Sequence, residues 1–405
     1  MVSRDFSGMN PARCLQWLLL SALLGIPTNA RALIVYDSAS TDNAKNVIDP
    51  ANVATYPASP AIGVPWQYVV RYGVNNASAV YIGNGCLLTA RHVGTSDTGL
   101  LIGGTSYSRD TSFTPLPITI PGSPAVLVDL QLQKISGDPG LAALPLALPS
   151  AAETNKASVL IGWGVGKGAA IPGQGWNWGD DSTRAFRWGT NTTSLSTWAM
   201  TYTVGGTAMN YTALGVTLNS NKGANEATAT LGDSGSALFQ SLSGTWTLCG
   251  ITTVVSTLNS SEYNPSDTTY FVRLRECSWV LRYDAWKAKY GIAQAAADSD
   301  DSDGDGIPLL LEYALGLDPS AASSDGLPVA SVEGSDLVLT FSRLASATDI
   351  KLEVETSSTL QAGEWTVEPA TITVLDGASV FQKVKAAVPL GTGDRKFARL
   401  KVTRL

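Results

Sequence analysis

From about residue 33 to residue 285 the chain consists of short runs rich in β-branched and aromatic residues, separated by clusters of Gly, Pro, Asn, Ser and Thr. Runs of this kind are typical of β-strands, and no long helical period interrupts them. The pattern therefore restricts this region to an all-β sandwich or barrel. The runs include 67–72, 79–82, 125–135, 157–162 and 246–255.

A helix is predicted over residues 278–290, where the strand pattern ends. Trp279 and Trp286 fall near one face, Lys287 lies in the last turn where a cation suits the helix dipole, and Gly291 ends the helix. Short alternating runs return from about 327 to 405 and predict a small antiparallel β domain. These runs are 335–341, 350–355 and 397–403.

Charge changes along the chain in a way that marks a domain boundary. Residues 291–405 carry 17 acidic and 9 basic residues, whereas residues 33–290 carry 16 acidic and 15 basic residues. The predicted organisation is a signal peptide, a large β domain, an acidic linker and a C-terminal β domain, over residues 1–32, 33–290, 291–326 and 327–405.

The N-terminal segment has the three parts of a secretory signal. Arg4 and Arg13 form a basic region, an apolar run extends over 14–26, and the small-x-small sequence at 30–32 predicts a cleavage site. A membrane anchor is the alternative, but the run is shorter than the roughly 20 residues that span a bilayer. We therefore expect a protein that is secreted, periplasmic or on the extracellular surface, without stable membrane insertion.

Charge and cysteine content exclude several classes of function. The net charge of −7 argues against general binding to nucleic acid or anionic membranes. The single His and four Cys without paired C-x-x-C spacing argue against a structural zinc site. Signal cleavage would leave Cys86, Cys249 and Cys277, so at most one intrachain disulfide can form. A Cys249–Cys277 bridge and three buried thiols both remain open.

Two segments carry the residue types of nucleophilic catalysis. The first, 83–93, contains His92, and the second, 231–239, contains Ser234 within Gly-Asp-Ser-Gly. A hydroxyl nucleophile needs an adjacent base, and the base needs a carboxylate to orient it. The flanking glycines allow a tight turn whose N–H groups can face a developing oxyanion. Separately, a lone His is usually a packing or surface residue, and such a tetrapeptide is often only a turn.

Together these segments resemble the chymotrypsin/trypsin-like serine peptidases. Thr89-Ala-Arg-His92 is similar to the Thr-Ala-x-His element of that family, and Gly232-Asp-Ser-Gly235 matches its nucleophile loop. Residues 159–164 resemble the Gly-Trp-Gly strand that opens the second barrel, and 249–253 resemble the strand after the nucleophile. The resemblance implies two antiparallel six-stranded β-barrels meeting near 145–155, followed by a C-terminal helix. Arg91, Val93 and the position of Cys86 depart from the usual pattern.

The family also places an Asp in an apolar strand between the His and the Ser. Asp129 is the best match, because Asp129-Leu-Gln-Leu-Gln-Lys resembles that strand. The other candidates, which lie in loops rich in Gly, Ser and Pro, are Asp97, Asp110, Asp138, Asp180 and Asp181. The resemblance thus implies a triad of Ser234 as nucleophile, His92 as base and Asp129 as its orienter.

Further roles follow from the same resemblance. The N–H groups of Gly232 and Ser234 would form the oxyanion hole, and Asp233 would pair with an α-amino group exposed at Leu33 by processing. The specificity pocket would have Thr228 at its base and Thr253, Val254 and Val255 in its wall. With no Asp at the base and a bulky Val in the wall, we expect a preference for small or medium apolar side chains over Lys and Arg.

An acidic loop in the linker fits the pattern D-x-[DN]-x-[DN]-G-x₅-E at every position from 301 to 312. The segment resembles a single EF-hand or dockerin-like Ca²⁺ loop, and a solvated acidic linker is the alternative reading. Carboxylate and carbonyl oxygens are the ligands that Ca²⁺ prefers. The predicted ligands are Asp301, Asp303, Asp305, the carbonyl of Ile307 and Glu312.

These observations predict a secreted serine endopeptidase that acts on protein or peptide substrates and uses Ca²⁺ structurally. No cofactor is expected for catalysis. The alternative function is a non-catalytic, calcium-binding adhesion protein on a peptidase-like scaffold. In both cases the C-terminal domain can serve for attachment to a surface or polymer.

Overall fold

A computed structural model of the chain describes most residues after position 62 and two short segments before it. The described residues are 33–36, 46–48, 63–73, 77–120, 126–172, 175–219, 222–230, 232–256, 262–263, 266–376, 379–393 and 395–405. The predicted signal peptide lies outside the described residues. Among the described residues, no helix combines the length and apolar character needed to cross a membrane.

The region up to residue 273 is built almost entirely from antiparallel strands. In chain order these are β1 (Ile34–Val35), β2 (Val69–Tyr72), β3 (Ala77–Gly83), β4 (Cys86–Thr89), β5 (Leu100–Ile102), β6 (Thr105–Arg109), β7 (Leu116–Ile120), β8 (Val126–Ser136), β9 (Ala157–Gly164), β10 (Lys167–Ile171), β11 (Gly175–Trp178), β12 (Ala185–Val204), β13 (Thr207–Thr217), β14 (Ala227–Thr228), β15 (Ala237–Leu242), β16 (Thr245–Ser256), β17 (Glu262–Tyr263) and β18 (Thr268–Arg273).

Two ring-like sheets form the body of this region. The first has the order β4-β3-β2-β5-β6-β8-β7, and an additional pairing of β4 with β8 brings its ends together. The second is a closed barrel with the order β12-β13-β18-β16-β15-β9. The prediction of two antiparallel β-barrels is confirmed. Closure removes the unpaired strand edges that an open sheet would expose to other chains.

Smaller sheets lie beside the second barrel. Strand β1 pairs with β14, so that Ile34 lies opposite Thr228. Strands β10, β11 and β17 form a separate three-stranded sheet.

The strand β3 shows how the two barrels pack together. All seven of its residues are buried, although a half-exposed strand would alternate between buried and exposed positions. One contact that covers it is the hydrogen bond from the Trp163 N–H of β9 to the Ser78 hydroxyl. Burial of both faces therefore explains the uninterrupted small and apolar composition of β3.

The C-terminal helix of this region is shorter than predicted. Short 3₁₀ turns cover Leu274–Glu276 and Ser278–Val280, and the helix α1 spans Tyr283–Lys289 instead of 278–290. Arg282 is extended (φ −146°, ψ 134°), and its buried guanidinium donates to the carbonyl of Ile82. A tertiary hydrogen bond thus delays the start of the helix beyond the point where local periodicity places it.

The described residues after position 290 form one helix and two sheets. The helix α2 (Leu309–Leu315) precedes β19 (Val329–Glu333), β20 (Asp336–Leu344), β21 (Ile350–Ser357), β22 (Thr366–Glu368), β23 (Thr371–Val374), β24 (Phe381–Pro389) and β25 (Phe397–Arg404). The sheets have the orders β19-β20-β24-β23 and β22-β21-β25. The predicted C-terminal β domain is confirmed, and the pairing is antiparallel throughout.

Polar contacts join this domain to the preceding helices. The Thr348 hydroxyl donates to the carbonyl of Leu281, and Asp349 accepts hydrogen bonds from the Tyr283 backbone (2.7 Å) and the Tyr313 hydroxyl (2.9 Å). Asp349 is therefore shared by α1 and α2, and the C-terminal domain packs directly on the end of the barrel region.

Candidate active site

The one imidazole of the chain lies at the end of a buried strand. Strand β4 leads into a 3₁₀ turn over Arg91–Val93, which presents His92 with its side chain 20% exposed. The backbone N–H of His92 donates to Asp129 Oδ1 at 2.9 Å, so the carboxylate holds the turn as well as the ring. Strand pairing between Thr89 of β4 and Gln131 of β8 brings these two residues together.

Asp129 is fully buried in β8 and lies against the imidazole. Its Oδ2 is 2.7 Å from His92 Nδ1. Burial alone would lower the pKa of His92, but the charge of Asp129 and its hydrogen bond favour the imidazolium and raise the pKa above its ordinary value. A proton on Nδ1 leaves Nε2 free to accept one.

Ser234 lies in a tight loop before β15, and its Oγ is 2.7 Å from His92 Nε2. Backbone hydrogen bonds fix the loop, since the Ser78 N–H donates to the Ser234 carbonyl at 3.0 Å and the Gly235 N–H donates to the Thr252 carbonyl at 2.8 Å. The structure thus brings all three predicted triad residues into one hydrogen-bonded line, from Asp129 through His92 to Ser234.

Gly235 explains why the loop needs glycine at that position. Its φ is +88°, and a Cβ added there would lie 1.8 Å from the carbonyl oxygen of Ser78. Gly232 also has a positive φ of 117°. Both residues adopt backbone conformations that L-amino acids with side chains rarely reach.

The predicted oxyanion donors flank Asp233. Within the described part of the chain, neither the Gly232 nor the Ser234 N–H donates to a protein acceptor. The Asp233 N–H and carbonyl bond to Thr230 and Ser236, which closes the turn between them. The Gly232 and Ser234 N–H groups therefore have no acceptor among the described residues, and their role as an oxyanion hole stays a prediction.

Asp233 itself is a buried carboxylate with an incomplete set of partners. It is fully buried, its Oδ2 accepts the Thr230 N–H at 3.0 Å, and its Oδ1 has no partner among the described residues. Burial raises its pKa well above the ordinary value. Leu33 is also buried and packs with Leu160 and Leu238. The pairing of Asp233 with a processed N-terminus stays a prediction.

The predicted specificity residues lie on neighbouring strands. Thr228 is fully buried, and its hydroxyl is 2.7 Å from that of Thr269 on β18. Thr269 in turn pairs with Val255 of β16. Val254 and Val255 are half-buried, whereas Thr253 is buried and its hydroxyl is 2.6 Å from the Tyr211 hydroxyl. None of the four predicted specificity residues carries a charged side chain.

One residue at this site was not predicted from the sequence. The Tyr202 hydroxyl donates to Asp129 Oδ2, the oxygen that also contacts the imidazole. Tyr202 lies near the tip of the β12–β13 hairpin, in a stretch of alternating Thr and aromatic residues that reads as an ordinary strand. No sequence signal for its contact exists, because the contact depends on where the hairpin ends.

The acidic loop lies apart from the triad, before α2. Carboxylate oxygens of Asp301, Asp303 and Asp305 lie within 4.8 Å of one another, and Gly306 has a φ of +88°. Glu312 is fully buried in α2, and neither of its carboxylate oxygens has a partner among the described residues. Burial and the nearby carboxylates, Asp303 first, raise the pKa of Glu312 to about 7.

The three described cysteines are free and buried. No disulfide joins Cys249 to Cys277, so the reading of three buried thiols is the one that the structure supports. Burial raises the pKa of each thiol, to about 12 for Cys277. A buried thiol with a raised pKa is a poor nucleophile.

No curated protein matches this chain significantly. Among solved structures, the NS6 protease from murine norovirus 1 is 18% identical with a TM-score of 0.31, and covers 54% of this chain and 93% of its own. The active form of the Rv3671c protease from M. tuberculosis is 15% identical with a TM-score of 0.35, and covers 60% of this chain and 92% of its own. These scores are too low to carry an argument about this site.

A family match covers both barrels. The sequence model of the trypsin family matches residues 54–275, which is more than half of the chain and contains both barrels and the site described above. The fold supports the same assignment, since the second barrel is closed and the first sheet is ring-like. The chain therefore belongs to the trypsin family and is a protease hydrolase with peptide substrates.

Proposed function

We propose that the protein is a serine endopeptidase in which Ser234 is the nucleophile. The single observation that carries this proposal is the continuous contact of Ser234 Oγ, His92 and Asp129, with successive distances of 2.7 Å. Ser234 Oγ attacks the carbonyl carbon of the scissile bond, and His92 Nε2 accepts the hydroxyl proton. The proton then passes to the leaving amine, and water hydrolyses the acyl-enzyme by the same route.

Asp129 orients the base during this reaction. Its carboxylate accepts the Nδ1 proton, so Nε2 is the nitrogen that faces Ser234. Its negative charge also stabilises the imidazolium that forms when His92 takes the proton, which is the direction in which it raises the pKa of His92. The N–H groups of Gly232 and Ser234 would bind the oxyanion.

A thiol nucleophile is the alternative within this fold, and the described residues argue against it. The nucleophilic atom that contacts His92 Nε2 is a serine hydroxyl oxygen. Cys86, Cys249 and Cys277 are buried in the cores of the barrel region, and none of them contacts His92. This favours serine chemistry over cysteine chemistry.

We also propose a substrate preference and export of the protein. The neutral side chains of Thr228, Val254 and Val255 favour small or medium apolar residues before the scissile bond over Lys or Arg. The basic and apolar regions within residues 1–32 favour export of the protein.

Covalent labelling tests the proposed nucleophile. A fluorophosphonate probe should label the wild-type protein at one site, and Ser234→Ala should remove the label. Ser331→Ala, which changes an exposed serine of β19, is the matched control and should keep it. Iodoacetamide should leave activity intact. Labelling that survives in Ser234→Ala, or no labelling of the folded wild type, would refute the proposal.

We further propose that the acidic loop binds Ca²⁺ as a structural ion. The donor set fits this ion, since Asp301, Asp303 and Asp305 converge and Glu312 contributes a buried carboxylate that has no partner in the described part of the chain. A carboxylate buried beside three others is unfavourable unless a cation accompanies it. Bound Ca²⁺ would neutralise this cluster at the start of α2, which packs beside α1 and the C-terminal sheets.

Titration calorimetry with CaCl₂ tests this second proposal. The wild-type protein should bind one ion, and Glu312→Gln should weaken binding strongly because it removes the charge of the buried ligand. Asp325→Asn changes an exposed acidic residue beyond the loop and should bind as the wild type does. Absence of heat in the wild type, or equal affinity in Glu312→Gln, would remove the assignment.

A further inference from the structure

The β12–β13 hairpin connects the second barrel to the triad. Its tip carries Tyr202 and Met209, which face each other across the two strands. Tyr202 reaches Asp129 of β8, and the sulfur of the fully buried Met209 lies 3.6 Å from Arg91 Nη1 in the turn that holds His92. The hairpin therefore contacts the first barrel at two points, Asp129 and Arg91, although its strands belong to the other barrel.

Among the described residues, three hydrogen bonds are donated to Asp129, and one of them comes from the second barrel. The backbone N–H of His92 donates to Oδ1, and the imidazole and Tyr202 both lie on Oδ2. Both carboxylate oxygens already accept from His92, and the phenol adds a second hydrogen bond to Oδ2 from the other barrel. It also fixes the rotation of the carboxylate about its Cβ–Cγ bond.

Tyr202 is held in place by Tyr211, which is itself hydrogen-bonded to β16. Its ring packs edge to face on that of Tyr211, with centroids 6.0 Å apart and an interplanar angle of 82°. The Tyr211 hydroxyl is in turn 2.6 Å from Thr253 Oγ1, on the strand that follows the nucleophile loop. Burial, Tyr211 and Asp129 raise the pKa of Tyr202 well above its ordinary value, so the phenol stays protonated as a donor.

We propose that Tyr202 is a positioning residue of the triad, whose hydroxyl fixes and partly neutralises the Asp129 carboxylate from the second barrel. This inference rests on the proposed serine peptidase function, because it concerns the base of that mechanism. The phenol takes up part of the negative charge on Oδ2, and this limits how strongly Asp129 favours the imidazolium. It thereby keeps His92 able to release its proton to the leaving amine.

Loss of the phenol hydroxyl has a definite direction of effect. With one donor fewer, Asp129 attracts the imidazolium more strongly, so the pKa of His92 rises further. The titratable groups that face Asp129 among the described residues are His92 from its own barrel and Tyr202 and Tyr211 from the hairpin. Arg91 directs its guanidinium to Met209 instead.

The single histidine of the chain makes the experiment direct. Protein labelled with ¹⁵N-histidine gives one pair of ring nitrogen signals, which a pH titration follows without assignment variants. The variant is Tyr202→Phe, and the matched control is Tyr68→Phe, which removes another phenol hydroxyl whose hydrogen bond, to the carbonyl of Ala142, lies away from the triad. Both full-length variants are compared with the wild type by titration and by kcat and KM on a peptide substrate.

We expect Tyr202→Phe to raise the titration midpoint of His92 in the free protein and to move the acid limb of kcat/KM to higher pH by the same amount. We also expect kcat to fall about tenfold with KM little changed, as for a lost hydrogen bond to a charged group. Tyr68→Phe should match the wild type in both. A Tyr202→Phe midpoint and kcat equal to those of the wild type would overturn the proposal. A shifted midpoint in a protein without peptidase activity would instead overturn only the proposed function.

Discussion

The triad site and the acidic loop each contain a buried carboxylate, but the two regions compensate its negative charge in different ways. The surroundings of Ser234, His92 and Asp129 are called the cleft. In the cleft, Asp129 is fully buried and receives hydrogen bonds on both oxygens from residues of both barrels. In the loop, Glu312 is equally buried, yet neither of its oxygens has a partner among the described residues. Protein groups alone therefore compensate the charge of Asp129, whereas the charge of Glu312 calls for a cation.

The two sites differ in how far apart in the sequence their residues lie. The cleft combines residues from strands that are far apart in sequence, so tertiary packing can supply partners for both oxygens of Asp129. The predicted ligands of the loop come from 12 consecutive residues. Their side-chain ligands are all carboxylates, so they share one sign of charge. Four predictions test this contrast, beginning with the largest expected effect.

Replacement of the base should have the largest effect. His92→Ala should lower kcat by about 10⁵- to 10⁶-fold, because no other imidazole exists in the chain to take the proton from Ser234. The measurement is kcat on a peptide substrate. A double variant that also carries Ser234→Ala should lose no more than either single variant, since the two groups act as a unit. Activity above about one per cent in His92→Ala would contradict the assignment.

Replacement of the orienting carboxylate should have the next largest effect. Asp129→Asn should lower kcat about 10⁴-fold while the protein remains folded, because an amide cannot hold the proton on Nδ1 or stabilise the imidazolium. Asp138→Asn, which changes an exposed residue after β8, is the control and should keep full activity. Equal kcat values for the two variants would show that burial of Asp129 is structural only.

Calcium should affect stability at the loop without affecting chemistry in the cleft. At a Ca²⁺ concentration of about 100 times Kd, the folded state gains about 2.7 kcal/mol, and chelation should lower the Tm by several degrees. The value of kcat/KM should not change, because the cleft contains its own partners. A fall in kcat/KM on chelation, with the Tm unchanged, would reverse the proposed contrast between the two regions.

The pH dependence should show the smallest but most specific effect. His92 must be neutral to act as a base, and Asp129 raises its pKa above the ordinary value of about 6.5. Activity should therefore be lost as the pH falls through a midpoint above about 6.5, in a single protonation step. A kcat/KM profile over pH measures this midpoint. A midpoint below 6 would mean that burial outweighs the carboxylate.

Much of the fold and of the candidate site could be predicted from local sequence. The strand pattern indicated an all-β architecture, which the structure confirms, and the predicted runs at 157–162 and 246–255 correspond to β9 and β16. His92, Asp129 and Ser234 were found because their short motifs, taken together and in order, resemble those of a known peptidase family. The acidic loop was found because it fits a known calcium-binding pattern.

What could not be predicted depends on contacts between distant segments. The helix at 278–290 begins only at Tyr283, because Arg282 reaches the carbonyl of Ile82, 200 positions earlier. Tyr202 has no local signal, since its partner Asp129 lies 73 positions away in another barrel. Local propensity describes neither contact, because both depend on how separate strands pack.

The sequence by itself therefore determined the chemical groups that this protein carries: one imidazole, one Gly-Asp-Ser-Gly turn, one carboxylate in an apolar strand and one acidic loop. These features are local, since they depend on spacing and on the backbone freedom of glycine. Only the tertiary structure decided which groups meet, because Ser234 and His92 are 142 positions apart and meet only when the two barrels pack together. The same packing places Tyr202 on Asp129 and leaves Glu312 buried without a partner among the residues that the structure describes.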